Sequence, residues 1–373
     1  MNIAIDARGA NLYKGTGIGT YTENILNGLL NIDKSNYYNI YWWGKNYKQY
    51  MRKNSKIILT SKKHKSFFEE FYFPNNIYKE NIDLYHVPQN GMGLSENVKC
   101  KKVITIHDLI PYIMPETVGK SYLNKFLREM PKLIGYCDGI ITVSQWSKKD
   151  ILKFFPVIDE NKIFVTPLAA DSKYKPMDKA NCNLILRKHY NIKRPFILYI
   201  GGFSSRKNVN SLILAFSKIY KNLNKEFDLV IVGANKDSAN YLAELTNDLK
   251  ISSNVIFTGF VPEEHLPLLY NGCDAFVYPS IYEGFGLPPL EAMSCGTCVI
   301  SSNLSSIPEV VGDGGILINP LDLKSFTHTL GNLLNDENLQ ASLKAKALKR
   351  ASLFSWEETT KKTLYAYNKI LSI

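Results

Sequence analysis

The sequence predicts an α/β protein of two doubly wound domains. Three observations carry that expectation. Short apolar, β-branched runs alternate with helical stretches along all 373 residues. Most of these runs are continuously apolar rather than alternating, as strands of parallel sheets are when helices cover both faces. The runs also form two series separated by a polar stretch, in a chain long enough to prefer two cores.

The first series comprises residues 3–7, 57–60, 84–87, 103–106, 139–143 and 163–166. The second comprises 196–200, 229–232, 255–257, 275–278, 298–301 and 316–318. Between them, 172–194 is polar, contains Pro176 and ends before Pro195, so it reads as a linker. The expected domains are therefore 1–171 and 195–354, each with its own parallel sheet. Ser355 is placed to cap a last helix reaching Ile370.

Composition narrows the class. No apolar run approaches the ~18 residues of a membrane span. The chain opens directly on a strand-like run, so a cleaved leader is not expected and a cytoplasmic location is. Six cysteines do not make a disulfide framework, and Cys295 with Cys298 forms a lone pair without a second. The six histidines show no metal-ligand spacing. The net charge is +11, divided as +7 over 1–171 (23 basic, 16 acidic) and +4 over the rest (22 basic, 18 acidic). Lys48, Arg52, Lys53, Lys56, Lys62 and Lys63 are followed by Phe67, Phe68, Phe71, Tyr72 and Phe73. That order suits an anionic membrane surface, and equally a solvated face beside ordinary core aromatics. Charge alone would also admit nucleic acid, but no nucleic-acid partner is expected.

The chemistry-bearing motifs follow strands, where ligands of α/β sheets bind. Glu283-Gly-Phe-Gly-Leu-Pro-Pro-Leu-Glu291 stands between an apolar strand and a helix that stops at Gly296. Glycines followed by a helix start leave outward N–H groups suited to phosphate, and the two carboxylates can accept bonds from hydroxyls. Pro288 and Pro289 are tolerated near the helix start. Gly284, Phe285, Gly286 and Leu287 then occupy its positive end. Phosphate flanked by hydroxyls describes a nucleotide sugar.

Gly201-Gly202-Phe-Ser-Ser-Arg206-Lys207-Asn208 follows the first strand of the second series, and its adjacent cations can neutralise a diphosphate. Gly15-Thr-Gly17-Ile-Gly19 follows the first strand of the chain. Its spacing is not the dinucleotide fingerprint, and Tyr41-Trp-Trp-Gly44 stands where an acidic residue would be needed, which disfavours nicotinamide. His107, at a strand end before Asp108, can contact a substrate hydroxyl or share a proton.

Together these segments resemble the retaining nucleotide-sugar glycosyltransferases of family 4, which have the GT-B fold. The likeness also takes in Val143-Ser-Gln-Trp-Ser147, Thr258-Gly-Phe-Val261, Ser305-Ser-Ile-Pro-Glu-Val310 and Phe354-Ser-Trp356. It implies two Rossmann-like domains facing a cleft, with 355–373 crossing back to the first. It implies that Glu291 binds the ribose and Glu283 the donor sugar. The backbone of Gly284, Phe285 and Gly286 would hold sugar and phosphate. Arg206 and Lys207 would stabilise the departing diphosphate, with Gly202 beside them. His107 would lie near the reacting centre, Gly15, Gly17 and Gly19 over the diphosphate, and Phe260 and Val261 beside the base. Some relatives carry a further arginine near the second-domain glycines, where this chain has Gly201-Gly202-Phe203.

The expected reaction is retaining transfer of a hexosyl group to a saccharide, lipid-linked acceptor in polysaccharide synthesis. No metal or other cofactor is expected, since the chain has no Asp-x-Asp motif. The His107–Pro111 run looks like that of mannosyl- and related transferases, making GDP-mannose the first choice of donor. The alternatives are a non-catalytic nucleotide-sugar-binding protein and a phosphorylase on the same fold. A peripheral position at the inner face of the membrane fits the acceptor.

Overall fold

The computed structural model describes residues 1–233 and 236–372. They divide into two compact units: Met1–Leu168 with the stretch from Ser355 onward, and Ala169–Phe354.

The first unit is built on a seven-stranded sheet of order β3-β2-β1-β4-β5-β6-β7. Its strands are β1 (Asn2–Asp6), β2 (Tyr37–Trp42), β3 (Ser55–Leu59), β4 (Leu84–Val87), β5 (Lys101–Ile106), β6 (Gly139–Thr142) and β7 (Ile163–Val165). Every pairing is parallel. β2 was not among the runs picked from the sequence. Its Tyr38, Ile40, Tyr41 and Trp42 are buried, so it is a core strand written largely in aromatics.

The chain winds outward from β1 to β3 and then returns to the other side at β4. That reversal makes the gap between the carboxyl ends of β1 and β4 the switch point of the sheet, the usual ligand crevice in such folds. The helix Gly17–Ile32 follows β1, burying Tyr21, Ile25, Leu26, Leu29 and Leu30.

The closing helix Trp356–Leu371 packs in this first unit. Ser355 caps it, its Oγ accepting from the Glu358 N–H at 3.1 Å. Tyr367 and Ile370 are fully buried. Two glycines admit the helix: a Cβ at Gly28 would fall 2.1 Å from Thr360 Oγ1, and one at Gly139 2.2 Å from Ile370 Cδ1.

The second unit is built on a six-stranded parallel sheet of order β10-β9-β8-β11-β12-β13. Its strands are β8 (Phe196–Ile200), β9 (Asp228–Val232), β10 (Val255–Gly259), β11 (Ala275–Tyr278), β12 (Val299–Ser302) and β13 (Ile316–Ile318). Here the switch point lies between β8 and β11. β8 and β11 are almost wholly buried, as their unbroken apolar runs require.

The segment 172–194 is more than a linker. It carries the helix Lys179–Tyr190, capped by Asp178, and it belongs to the second unit. Only Cys182 and Leu186 of this helix are buried, so its apolar stripe is too narrow to stand out among asparagines and basic residues. Asn271 ties down the chain just before it, accepting from the Met177 N–H and donating to the Lys175 carbonyl.

Candidate active site

In the second unit, the loop after β8 and the loop after β11 meet at the switch point. Arg206 and Lys207 sit in a short 3-10 turn, Ser205–Lys207. Glu283 stands in the loop between β11 and the helix Leu287–Ser294. The two loops are sewn together by one backbone bond and one side-chain bond: Ile281 N–H donates to the Arg206 carbonyl at 2.8 Å, and Arg206 Nη1 donates to the Tyr282 carbonyl.

Glu283 is the hub. Its Oε1 receives Lys207 Nζ at 2.6 Å, Ser280 Oγ at 2.6 Å and the Tyr278 hydroxyl at 2.9 Å, with Arg206 Nη1 2.8 Å away. Burial would raise its carboxyl, but Lys207 and Arg206 outweigh that and hold it at about 2. Glu283 is therefore an anion at any working pH. None of these bonds uses Oε2.

The loop itself is clamped from β12's side. Glu283 N–H donates to Ser305 Oγ at 3.0 Å, and Ser306 Oγ donates to the Glu283 and Phe285 carbonyls at 2.8 and 2.7 Å. Gly286 has φ +122°, a conformation that an L side chain rarely adopts, and it delivers the chain into the helix at Leu287. Phe285 is buried against Phe354. In the loop after β8, a Cβ at Gly202 would meet nothing within 4 Å, so the space around it is open.

Glu291 lies one turn into the helix in a different environment. Its Oε2 accepts from the Tyr270 hydroxyl at 2.9 Å, and Tyr270 packs edge-on against Tyr174. Burial pushes the Glu291 carboxyl up to about 7, and the Tyr270 bond offsets only part of that. The two glutamates, eight residues apart, are thus tuned in opposite directions. Val261 is buried and Phe260 is 78% exposed, both just beyond the end of β10.

The other predicted residues belong to the first unit. His107 follows β5 and is buried. Its Nε2 lies 2.9 Å from the Pro88 carbonyl and its backbone N–H donates to Asn90 Oδ1 at 2.8 Å. Burial draws its pKa down to about 4, leaving a neutral ring. Tyr21 packs edge-on against it at 4.9 Å, which joins His107 to the helix that Gly17 and Gly19 begin. Gly15 has φ +79°. Gly19 serves close packing, since a Cβ there would sit 2.2 Å from the Tyr13 carbonyl oxygen.

Sequence reasoning missed Tyr278, Ser280 and Tyr270, which hold the two glutamates. The available signal was weak: hydroxyl-bearing residues in otherwise apolar runs. A buried hydroxyl is costly without a partner.

Comparison with known proteins completes the picture. Residues 37–174 match the family model for Glycosyltransferase Family 4, and 185–350 match that for Glycosyl transferases group 1. Over its length the fold is that of solved GT-B glycosyltransferases. Sucrose-phosphate synthase from Thermosynechococcus elongatus superposes with a TM-score of 0.77 at 19% identity, covering 100% of this chain and 99% of that one. Anabaena HepE, solved with UDP and glucose, gives 0.76 at 17% identity, covering 98% and 99%.

Sequence relatives are closer. O-antigen chain mannosyltransferase B of Escherichia coli is 34% identical over 78% of this chain and 74% of its own. The serotype-specific mannosyltransferase WbdA of Escherichia coli is 31% identical over 74% of this chain, which spans only 34% of that longer protein. O-antigen chain mannosyltransferase RfbU of Salmonella typhimurium is 33% identical over 62% and 60%. The chain belongs to family 4 of the glycosyltransferases, with the group 1 domain in its second half. It is a glycosyltransferase.

Proposed function

We propose that the protein transfers a mannosyl residue, with retention, from GDP-mannose to a saccharide acceptor in the synthesis of a surface polysaccharide. The observation that carries the donor half is the Arg206–Lys207–Glu283 cluster at the second sheet's switch point. The choice of mannose follows the mannosyltransferases to which the chain is similar.

In this reading Glu283 Oε2 accepts a bond from a sugar hydroxyl and Glu291 accepts from the ribose. The backbone of Gly284, Phe285, Gly286 and Leu287 meets sugar and phosphate at the helix start. Gly202 gives the diphosphate room beside Arg206 and Lys207. Phe260 and Val261 border the base. Gly15, Gly17, Gly19 and His107 serve the same reaction from the first domain. The neutral ring of His107 suits contact with a sugar hydroxyl.

The bond from the anomeric carbon to the phosphate oxygen breaks, and its electron pair goes to the diphosphate. Arg206, Lys207 and the helix start stabilise that charge where it develops. The acceptor oxygen bonds to the anomeric carbon on the face the phosphate leaves, and its proton passes to the departing phosphate. Fixed cations take the part a metal would otherwise play, so transfer needs no metal. A trapped sugar–protein adduct would overturn this front-face course.

The acceptor is lipid-linked and the protein works peripherally at the inner face of the membrane. No helix among the described residues is long and apolar enough to cross one. The test is hydrolysis or transfer from GDP-mannose by the purified chain. Glu283→Ala is expected to abolish it. Full activity in that variant would defeat the assignment.

A further inference from the structure

Tyr278 ends β11, a strand that is otherwise Ala275, Phe276 and Val277, and its side chain is wholly buried. Phenylalanine would satisfy the packing of such a strand. The ring lies nearly parallel to that of Tyr199 on β8, with centroids 6.2 Å apart and planes 17° apart. Tyr199 is itself fixed, its hydroxyl donating to the Gly202 carbonyl at 2.6 Å. The pair spans the two strands that bound the switch point.

The Tyr278 hydroxyl makes two bonds. It accepts from Lys207 Nζ at 2.6 Å and donates to Glu283 Oε1 at 2.9 Å. Lys207 Nζ also donates to the same Oε1 at 2.6 Å, closing a triangle of ammonium, phenol and carboxylate. The ammonium further lies 5.0 Å from the Tyr278 ring centroid. A lysine side chain has four rotatable carbons and is a mobile point charge unless it is held. Holding it at both a carboxylate and a rigid aromatic hydroxyl fixes where its charge sits. Burial raises the phenol far above its ordinary range, so the hydroxyl keeps its proton and its donor role to Glu283.

We infer that Tyr278 is a positioning residue for transfer, fixing the Lys207 ammonium against Glu283 before the leaving diphosphate builds its charge. The inference rests on the reading that Lys207 stabilises that diphosphate. It assigns a task to the phenolic oxygen alone, so a single-atom change isolates it.

The experiment is steady-state GDP-mannose hydrolysis by four forms: the unaltered chain, Tyr278→Phe, Lys207→Ala and the double variant. Melting temperatures show whether each is folded. Tyr278→Phe is expected to lose about tenfold in kcat while KM stays within about twofold, the pattern of an interaction that matters in the transition state. Lys207→Ala is expected to lose more, and the double variant no more than Lys207→Ala, because the tyrosine acts through the lysine. A folded Tyr278→Phe with unaltered kcat, beside an impaired Lys207→Ala, overturns the inference and leaves the reading of Lys207 standing. Multiplying losses in the double variant also overturn it. Undiminished turnover in Lys207→Ala, or none in the unaltered chain, defeats the underlying reading and the inference with it.

Discussion

Glu283 and Glu291 are the same residue type in one short motif, yet their surroundings make them different chemical groups. Glu283 faces two cations and stays charged; Glu291 faces Tyr270 and Tyr174, with Lys173 the cation and Glu263 the anion that influence it. With its carboxyl at about 7, Glu291 changes from neutral to charged across the working range. Ribose hydroxyls donate best to the anion, so GDP binding should tighten as pH rises from about 6 to about 8. Titration calorimetry with GDP and its 2′,3′-dideoxy analogue checks this, the analogue correcting for phosphate ionisation. The difference between the two should grow with pH, and that growth should vanish in Glu291→Gln. The sign for folding is opposite. The folded chain keeps a proton there that the unfolded chain has lost, so this contribution to stability fades as pH rises from 4.5 to about 7. The contiguous motif made both glutamates legible in the sequence. Their tyrosine partners were not legible, because Tyr270 and Tyr278 occupy positions where any buried aromatic would fit the pattern.

At the scale of elements, strands read well and their partners less so. Runs such as Phe196–Ile200 and Ala275–Tyr278 coincide with the observed strands because burial on both faces writes an unmistakable apolar run. β2 was harder, since Tyr, Asn and Trp share it with Ile40. The helix Lys179–Tyr190 was hidden by its narrow buried stripe. The closing helix was announced by its cap, and its return to the first unit by the family resemblance, but the contacts that dock it were not legible. That docking depends on Gly28 and Gly139, and on His86, whose Nδ1 lies 2.7 Å from the Tyr367 hydroxyl and whose Nε2 lies 2.7 Å from Thr105 Oγ1. Gly28→Val should therefore destabilise the first unit by about 1–3 kcal/mol through overpacking. Urea unfolding followed by fluorescence measures it. An unchanged midpoint would show that the helix gives way at no cost.

At the scale of the whole molecule, charge and apolar exposure coincide in one region of the first unit. Phe67 and Phe71 are more than half exposed, whereas Phe73, grouped with them in the sequence, is core. Lys62, Lys63 and Lys65 lie immediately before them. A surface of this kind should bind vesicles containing phosphatidylglycerol and ignore neutral ones. Lys62→Glu, Lys63→Glu and Phe71→Ala combined should weaken sedimentation with such vesicles several-fold; equal binding to both vesicle types would contradict the assignment. Donor binding by the second unit is measured by thermal melting with GDP-mannose, GDP, UDP and dTDP, since a ligand of the folded state raises the melting temperature. The guanosine ligands should raise it for the unaltered chain and fail to do so for Glu291→Ala. A melting temperature that no nucleotide moves, or one that moves equally in Glu291→Ala, would contradict the account.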